Sequence, residues 1–111
     1  MREITEVAIQ EIVDAIIQHF DPAAIYLFGS RARNEAQDHS DIDLLVVSHT
    51  PFTPERSRQH ELARLWHLIA RYRLPVDVIL YSQDEIEEWR STPGHIIARA
   101  LCEGRKLYTA A

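Results

Sequence analysis

The sequence predicts a small α/β (α+β) domain in which a mixed sheet of three to four strands is packed against helices. Two observations predict this class: segments with helical periodicity alternate with short apolar runs, and those runs are rich in branched and aromatic residues. A chain of 111 residues can bury a hydrophobic core but has no room for a second module. We therefore expect a single domain over residues 1–111.

Two long helices are predicted from the spacing of apolar side chains. Between residues 4 and 20 the apolar residues recur every three or four positions, and Asp21-Pro22 ends the pattern. Residues 55–73 carry a second apolar stripe. Thr53-Pro54 precedes it and supplies an N-cap followed by a proline at the first helical position. This signal places the start of the second helix at Thr53-Pro54.

Shorter helices are predicted from their ends. A serine or threonine before a helical pattern accepts a free N–H group of the first turn, and a glutamate three residues later can complete a reciprocal capping box. Glycine is typical of the position after the last turn. These signals predict helices from Ser30 to about Ala36, after Ser82 with Glu85 completing the box, and over residues 95–103 between Thr92-Pro93 and Gly104.

The strands are predicted from short apolar runs. Branched and aromatic residues favour strands, and a run that is apolar on both faces indicates a strand buried inside the domain. The predicted strands cover residues 24–28, 41–47 and 76–81, with a last short edge strand at 106–108.

Composition excludes several classes of function. No apolar run approaches the ~20 residues that a membrane-spanning helix needs, so we expect a soluble, cytoplasmic protein with no membrane partner. A formal net charge of −5 argues against direct binding of nucleic acid, which requires a basic face. Cys102 is the only cysteine, which rules out an internal disulfide and suggests a small buried hydrophobe.

Three aspartates in predicted strands are the strongest chemical signal. Asp41 and Asp43 alternate at the head of an apolar strand, so their carboxylates project from the same face. Asp77 interrupts the next apolar strand in the same way. Aspartate is a poor strand former, and neighbouring carboxylates repel each other unless a cation lies between them. Mg²⁺ takes oxygen ligands, commonly carboxylates and substrate phosphates, which makes a shared metal site the natural explanation.

The turn after the first strand provides a complementary feature. Gly29 allows close approach of the backbone to a ligand, and Ser30 lies where a helix start would offer free N–H groups to an anion. Arg31 and Arg33 follow and are candidates for phosphate contacts, although solvated surface positions are equally expected for them. A triphosphate bound at this turn would share its oxygens with metals held by the aspartates.

This motif, Gly29-Ser30 followed after ten residues by Asp41-Ile42-Asp43, resembles the signature of the polymerase-beta-like nucleotidyltransferase superfamily. Asp77 lies where that superfamily has its third carboxylate. Over nearly its whole length the chain is most similar to the minimal nucleotidyltransferases, the antitoxins of HEPN/MNT toxin–antitoxin systems. Asn34 departs from the glycine that many members carry, which leaves the geometry of that loop open.

The resemblance implies a protein adenylyltransferase that moves AMP from ATP to a tyrosine of a cognate HEPN-type ribonuclease toxin with two Mg²⁺ ions. Gly29 and Ser30 would contact the triphosphate, Asp41 and Asp43 would ligate both metals, and Asp77 would ligate one and help to deprotonate the attacking hydroxyl. Two alternatives stay open. One is a non-catalytic antitoxin that neutralises its partner by occlusion, and the other is a small-molecule transferase of the aminoglycoside type, which the short chain disfavours.

Overall fold

A computed structural model describes residues 3–33 and 41–111 of the chain. In these residues the chain forms four helices and four strands that belong to one sheet, as the predicted α+β class requires. In chain order the elements are α1 (Glu6–Phe20), β1 (Ala24–Phe28), β2 (Ile42–Ser48), α2 (Arg58–Ala70), β3 (Val76–Ser82), α3 (Gln83–Trp89), α4 (Ile96–Glu103) and β4 (Arg105–Thr109).

The sheet is mixed, with the strand order β3-β2-β1-β4. β1 is antiparallel to both β2 and β4, whereas β2 and β3 are parallel because α2 forms a crossover between them. This topology brings the C-terminal end of β1 to the same end of the sheet as the N-terminal ends of β2 and β3. The turn that starts at Gly29 therefore lies beside the strand positions that carry the aspartates.

Helices cover both faces of the sheet, and alternate residues of each strand point to different helices. One core cluster joins α1 and α2 to the sheet and includes Ile42, Leu44 and Val46 from β2. A smaller cluster includes Leu45 and Val47 of the same strand, packed with residues of α3 and α4. The period-two alternation of β2 thus serves two separate layers, which explains why the strand is apolar at nearly every position.

The predicted strands are confirmed, each with ends within one or two residues of the expected ones, and the capping box of Ser82 and Glu85 is present. The predicted start of the second helix is wrong. Thr53 accepts the backbone N–H of Arg56 within a separate turn, and Ser57 caps α2 instead by accepting the N–H of His60 at 3.1 Å. Thr53-Pro54 is a turn signal that local sequence cannot distinguish from a helix start.

The cap predicted for the fourth helix is also displaced. Thr92-Pro93 lies in a turn, and His95 is the N-cap, with its Nδ1 accepting the N–H of Ile97 at 3.0 Å. The short helix predicted from Ser30 is a turn over residues 30–33, where the N–H groups of Ala32 and Arg33 donate to the carbonyl of Gly29. The rest of that prediction, including Asn34 and Ala36, lies outside the described residues.

Two remaining expectations concern exposure and membranes. Cys102 is exposed, so the expected buried position is wrong. It follows Leu101 at the end of α4, where the helix turns its side chain away from the sheet. In the part of the chain that the structure describes, no helix has both the length and the apolar character needed to cross a membrane, and the longest, α1, has 15 residues.

Candidate functional site

Asp43 and Asp77 lie directly opposite each other on neighbouring strands. The parallel register pairs Asp43 of β2 with Asp77 of β3, so both residues project from the same face of the sheet. This face is the one that α3 and α4 cover, but its covering is incomplete here: Asp77 is exposed and Asp43 is half-buried. The predicted juxtaposition of these two aspartates is therefore what the sheet produces.

Asp41 comes two residues before Asp43 and is exposed, just ahead of the first residue of β2. Its charge reaches the pair. The pKa of Asp43 is raised above its ordinary value of 3.8, first by burial, then by the charges of Asp77 and Asp41, while Arg33 lowers it. Asp77 and Asp41 thus both lie within electrostatic reach of Asp43.

Gly29 lies close to the carboxylate of Asp43. Its φ is +74°, in the left-handed region that favours glycine, and Phe28 before it is the register partner of Asp43. A Cβ built on Gly29 would overlap Oδ2 of Asp43 and lie 3.2 Å from its Cγ. The glycine is required here for two reasons, the backbone conformation and the space that the carboxylate occupies.

Gly29, Asp43 and Asp77 line one cleft of about 470 Å³, which is within the range of small-molecule binding sites. Its polar part contains Gly29, Ser30, Asp43 and Asp77. Its other wall is largely apolar, and the lining there is formed by Phe28, Val78, Ile79 and Ile96, with Arg33 and Arg99 at the margin. The cleft therefore combines carboxylates, a backbone turn, two cations and an apolar surface.

Arg33 is anchored at the margin of the cleft by Glu103 of α4, at 2.8 Å between Nη1 and Oε2. This ion pair joins the turn after β1 to the end of α4. Arg31, the other arginine predicted as a candidate, is half-buried, and the cleft lining in the described residues includes Arg33 but not Arg31. The structure thus separates two arginines that the sequence left equivalent.

The donor set fits a hard divalent cation. Asp43 and Asp77 offer only oxygen ligands. Burial, and then the charges of Asp77 and Asp41, raise the pKa of Asp43, and a bound cation would favour its charged form. Among residues 3–33 and 41–111, however, no three His, Cys, Asp or Glu side chains are arranged closely enough to enclose an ion. Repulsion acts over a longer range than coordination at ~2.1 Å, so the two observations are compatible. Metal binding by Asp41, Asp43 and Asp77 stays a prediction.

Two cleft residues on α4, Ile96 and Arg99, were not predicted from the sequence. They are far along the chain from the Gly-Ser turn, and only the packing of α4 against β1 brings them to the site. The one available signal was their spacing of three residues, which gives them a common face beside the buried Ile97 and Ala100.

Comparison with known proteins identifies the family at this point. Residues 10–111 match the family described as polymerase beta, nucleotidyltransferase. The chain belongs to this family. The match extends from α1 to the C-terminal residue, so it includes every site residue described above. No curated protein sequence matches the chain significantly.

Two solved structures share the fold. One is a crystal structure, at 1.40 Å resolution, of a Sulfolobus solfataricus protein proposed to be a nucleotidyltransferase; it is 24% identical, with a TM-score of 0.61, over 93% of this chain and 78% of that one. The other is a toxin–antitoxin crystal structure with AMP-PNP, 22% identical with a TM-score of 0.57, over 96% of this chain and 75% of that one. Both likenesses support the nucleotidyltransferase fold.

Proposed function

We propose that this nucleotidyltransferase is an antitoxin that transfers AMP from ATP to a tyrosine of a cognate HEPN-type ribonuclease toxin, with Mg²⁺ as cofactor. The observation that carries the proposal is the pairing of Asp43 with Asp77 in register, with Gly29 packed against the Asp43 carboxylate. An anion-binding turn and a carboxylate pair then share one cleft, which is the arrangement that a metal-bound triphosphate requires.

In this proposal the turn binds the triphosphate and the aspartates hold the cations. The backbone N–H group and the hydroxyl of Ser30 donate to phosphate oxygens, because Gly29 and Ser30 line the cleft beside Asp43. Asp41 and Asp43 would ligate both Mg²⁺ ions, and Asp77 would ligate one. Mg²⁺ bound there would supply charge neutralisation at the phosphates and at the attacking and leaving oxygens.

The proposed step is a displacement at the α-phosphorus. The tyrosine oxygen forms a bond to the α-phosphorus, the bond from that phosphorus to the bridging oxygen breaks, and pyrophosphate leaves. Asp77 accepts the phenolic proton. Its exposure suits this role, because a carboxylate at the open side of the cleft can be reached by a side chain of another protein. The exposed Asp77 and the half-buried Asp43 thus have different roles.

A protein acceptor is favoured over a small molecule by the shape of the site and by one structural likeness. The cleft is bounded by β1, β2, β3 and α4, and these elements leave the Asp77 side accessible. A small acceptor would need a further wall to orient it, whereas a docked protein brings its own. The likeness to a toxin–antitoxin complex that contains AMP-PNP points in the same direction.

The test is transfer of label from ATP, labelled at the α-phosphate, to the purified partner toxin. We expect labelled toxin with Mg²⁺ and none with a chelator, and we expect Asp43→Asn to abolish labelling while the protein stays folded. Asp14→Asn on α1 is the matched control: it also removes one negative charge, and asparagine keeps the oxygen that accepts from Gln10. Equal labelling by the Asp43 variant and the wild type would overturn the proposal.

The same variants distinguish catalysis from occlusion. The double change Asp41→Asn, Asp43→Asn leaves the surface of the fold intact but removes two of the three charges. If this variant protects cells from the toxin as well as the wild type does, the antitoxin acts by occlusion and not by transfer. If protection is lost while the complex still forms, catalysis is the function.

A further inference from the structure

Arg99 lines the cleft from α4. It lies on α4, which is fixed to the sheet by the fully buried side chains of Ile97 and Ala100. Ile96 and Arg99, one turn apart, share the face that lines the cleft with Asp43 and Asp77. A firmly packed helix therefore carries a guanidinium group to the margin of the candidate site.

In the described part of the chain, the guanidinium of Arg99 is not committed to another residue. Within residues 3–33 and 41–111 it makes no hydrogen bond or ion pair. Glu103 follows four positions later on the same helix, where helical spacing would allow it to pair with Arg99. It binds Arg33 at 2.8 Å instead. The ion pair between Arg33 and Glu103 thus leaves Arg99 as a cation available to a ligand.

The two cations at the cleft have different surroundings. Arg33 is close enough to Asp43 to lower its pKa, and Arg99 is not among the charges that shift it. Arg99 and the two carboxylates line the same cleft, a space of about 470 Å³. An anion in that space would lie between the Gly29 turn and the guanidinium.

We propose that Arg99 is a phosphate ligand that binds the nucleoside triphosphate from α4, in the cleft that Asp43 and Asp77 also line. The inference rests on the proposed function, since it requires that the cleft takes a nucleotide. A guanidinium group can donate two parallel hydrogen bonds to one phosphate group, which a lysine cannot do. Arg99 then orients the phosphate chain, while the turn at Gly29 supplies backbone donors at its other side.

Binding, measured by calorimetry with Mg²⁺ present, tests this role apart from activity. The ligands are AMP-PNP, which resists hydrolysis, and inorganic tripolyphosphate, which has no base or ribose. We expect Arg99→Gln and Arg99→Ala to weaken both ligands about tenfold or more, as expected for loss of a charge-assisted hydrogen bond. Arg99→Lys should be intermediate. Arg71→Ala is the control, since it removes an exposed arginine at the end of α2 and should stay within about twofold of the wild type.

Four results would overturn the inference. Arg99→Gln could bind AMP-PNP within about twofold of the wild type, or Arg71→Ala could weaken binding as much as Arg99→Gln, which would indicate a general effect of charge. A loss for AMP-PNP but not for tripolyphosphate would place Arg99 on the base or the ribose. Arg99→Gln keeps the length and polarity of the side chain, so it decides the matter if Arg99→Ala does not fold. A wild type that binds neither ligand would overturn the proposed function as well.

Discussion

The two faces of the sheet are built from alternate residues of the same strands, yet in β2 one face is buried throughout and the other leaves a carboxylate partly accessible. On the α1/α2 face, Ile42, Leu44 and Val46 of β2 are all fully buried. On the α3/α4 face, Leu45 and Val47 are buried, but Asp43 at the end of the same row is half-buried and carries a raised pKa. The difference arises from the length of the covering helices.

α1 and α2 have 15 and 13 residues, whereas α3 and α4 have seven and eight. At ~1.5 Å per residue, a helix of seven or eight residues cannot cover a strand of seven residues from end to end when it crosses at an angle. The uncovered end is where Asp43, Asp77 and Gly29 meet. One face thus supplies the stability that allows the other face to keep unfavourable charges together.

The largest effect on folding should come from the α1/α2 face. Leu44→Ala removes a fully buried side chain of β2 next to Asp43 and should lower the free energy of unfolding by about 2–5 kcal/mol. Leu44→Met, which conserves volume, should cost less than about 1.5 kcal/mol. Urea unfolding measures both. A loss below about 1 kcal/mol for Leu44→Ala would show that this face does not carry the core.

Two glycines with a positive φ, Gly29 and Gly94, allow the packing at the site to be tested. Gly29→Ala forces a side chain into the left-handed region, at a cost of about 1–2 kcal/mol, and drives its Cβ against the Asp43 carboxylate. Gly94→Ala pays the same backbone cost, because its φ is +84°, but a Cβ there meets nothing within 4 Å. We expect Gly29→Ala to be the less stable of the two and to lose binding of Mg²⁺-AMP-PNP, which Gly94→Ala retains. Equal unfolding midpoints and equal affinities would contradict the close packing of Gly29 on Asp43.

The smallest effect, and the one with the opposite sign, concerns Asp43 itself. Because its pKa is raised in the folded state, folding takes up protons, and stability falls as pH rises from the ordinary value of 3.8 through the raised pKa. At pH 7 with a chelator the Asp43 carboxyl group of the wild type is charged, and its burial and the neighbouring charges lower the stability of the folded state in full. Asp43→Asn should therefore unfold at a slightly higher temperature. The advantage should shrink below about pH 4, where the unfolded carboxyl group is also protonated. A variant less stable than the wild type at pH 7 would contradict the electrostatic account.

The strands and the aspartates could be predicted from the sequence because both are marked by a contrast between polar and apolar residues within short segments. Asp41, Asp43 and Asp77 stand out against apolar neighbours, and the pleat alone places i and i+2 on one face. Helix starts were predicted less well. Thr53-Pro54 and Thr92-Pro93 have the composition of a cap, but Ser57 and His95 cap the helices. A cap is the residue whose side chain accepts from the free N–H groups of the first turn, and composition alone does not determine where that turn begins.

Arg99 and the separation of Arg33 from Arg31 could not be predicted for a different reason. Arg33 is distinguished by its ion pair with Glu103, 70 positions later in the chain, and Arg99 reaches the cleft only through the packing of α4 on the sheet. Contacts of this kind leave no local pattern. They depend on how two elements cross, which the periodicity of each element does not determine.

Paramagnetic broadening of the ¹H–¹⁵N spectrum tests directly whether the incompletely covered end of the sheet is the metal-dependent nucleotide site. Mn²⁺, which takes the same oxygen ligands as Mg²⁺, is added at substoichiometric concentration together with AMP-PNP. We expect selective loss of the amide signals of Gly29, Asp43 and Asp77, while those of Ile12 and Leu65 in the α1/α2 layer keep their intensity. Broadening centred elsewhere, or unchanged signals at all three site residues, would contradict it.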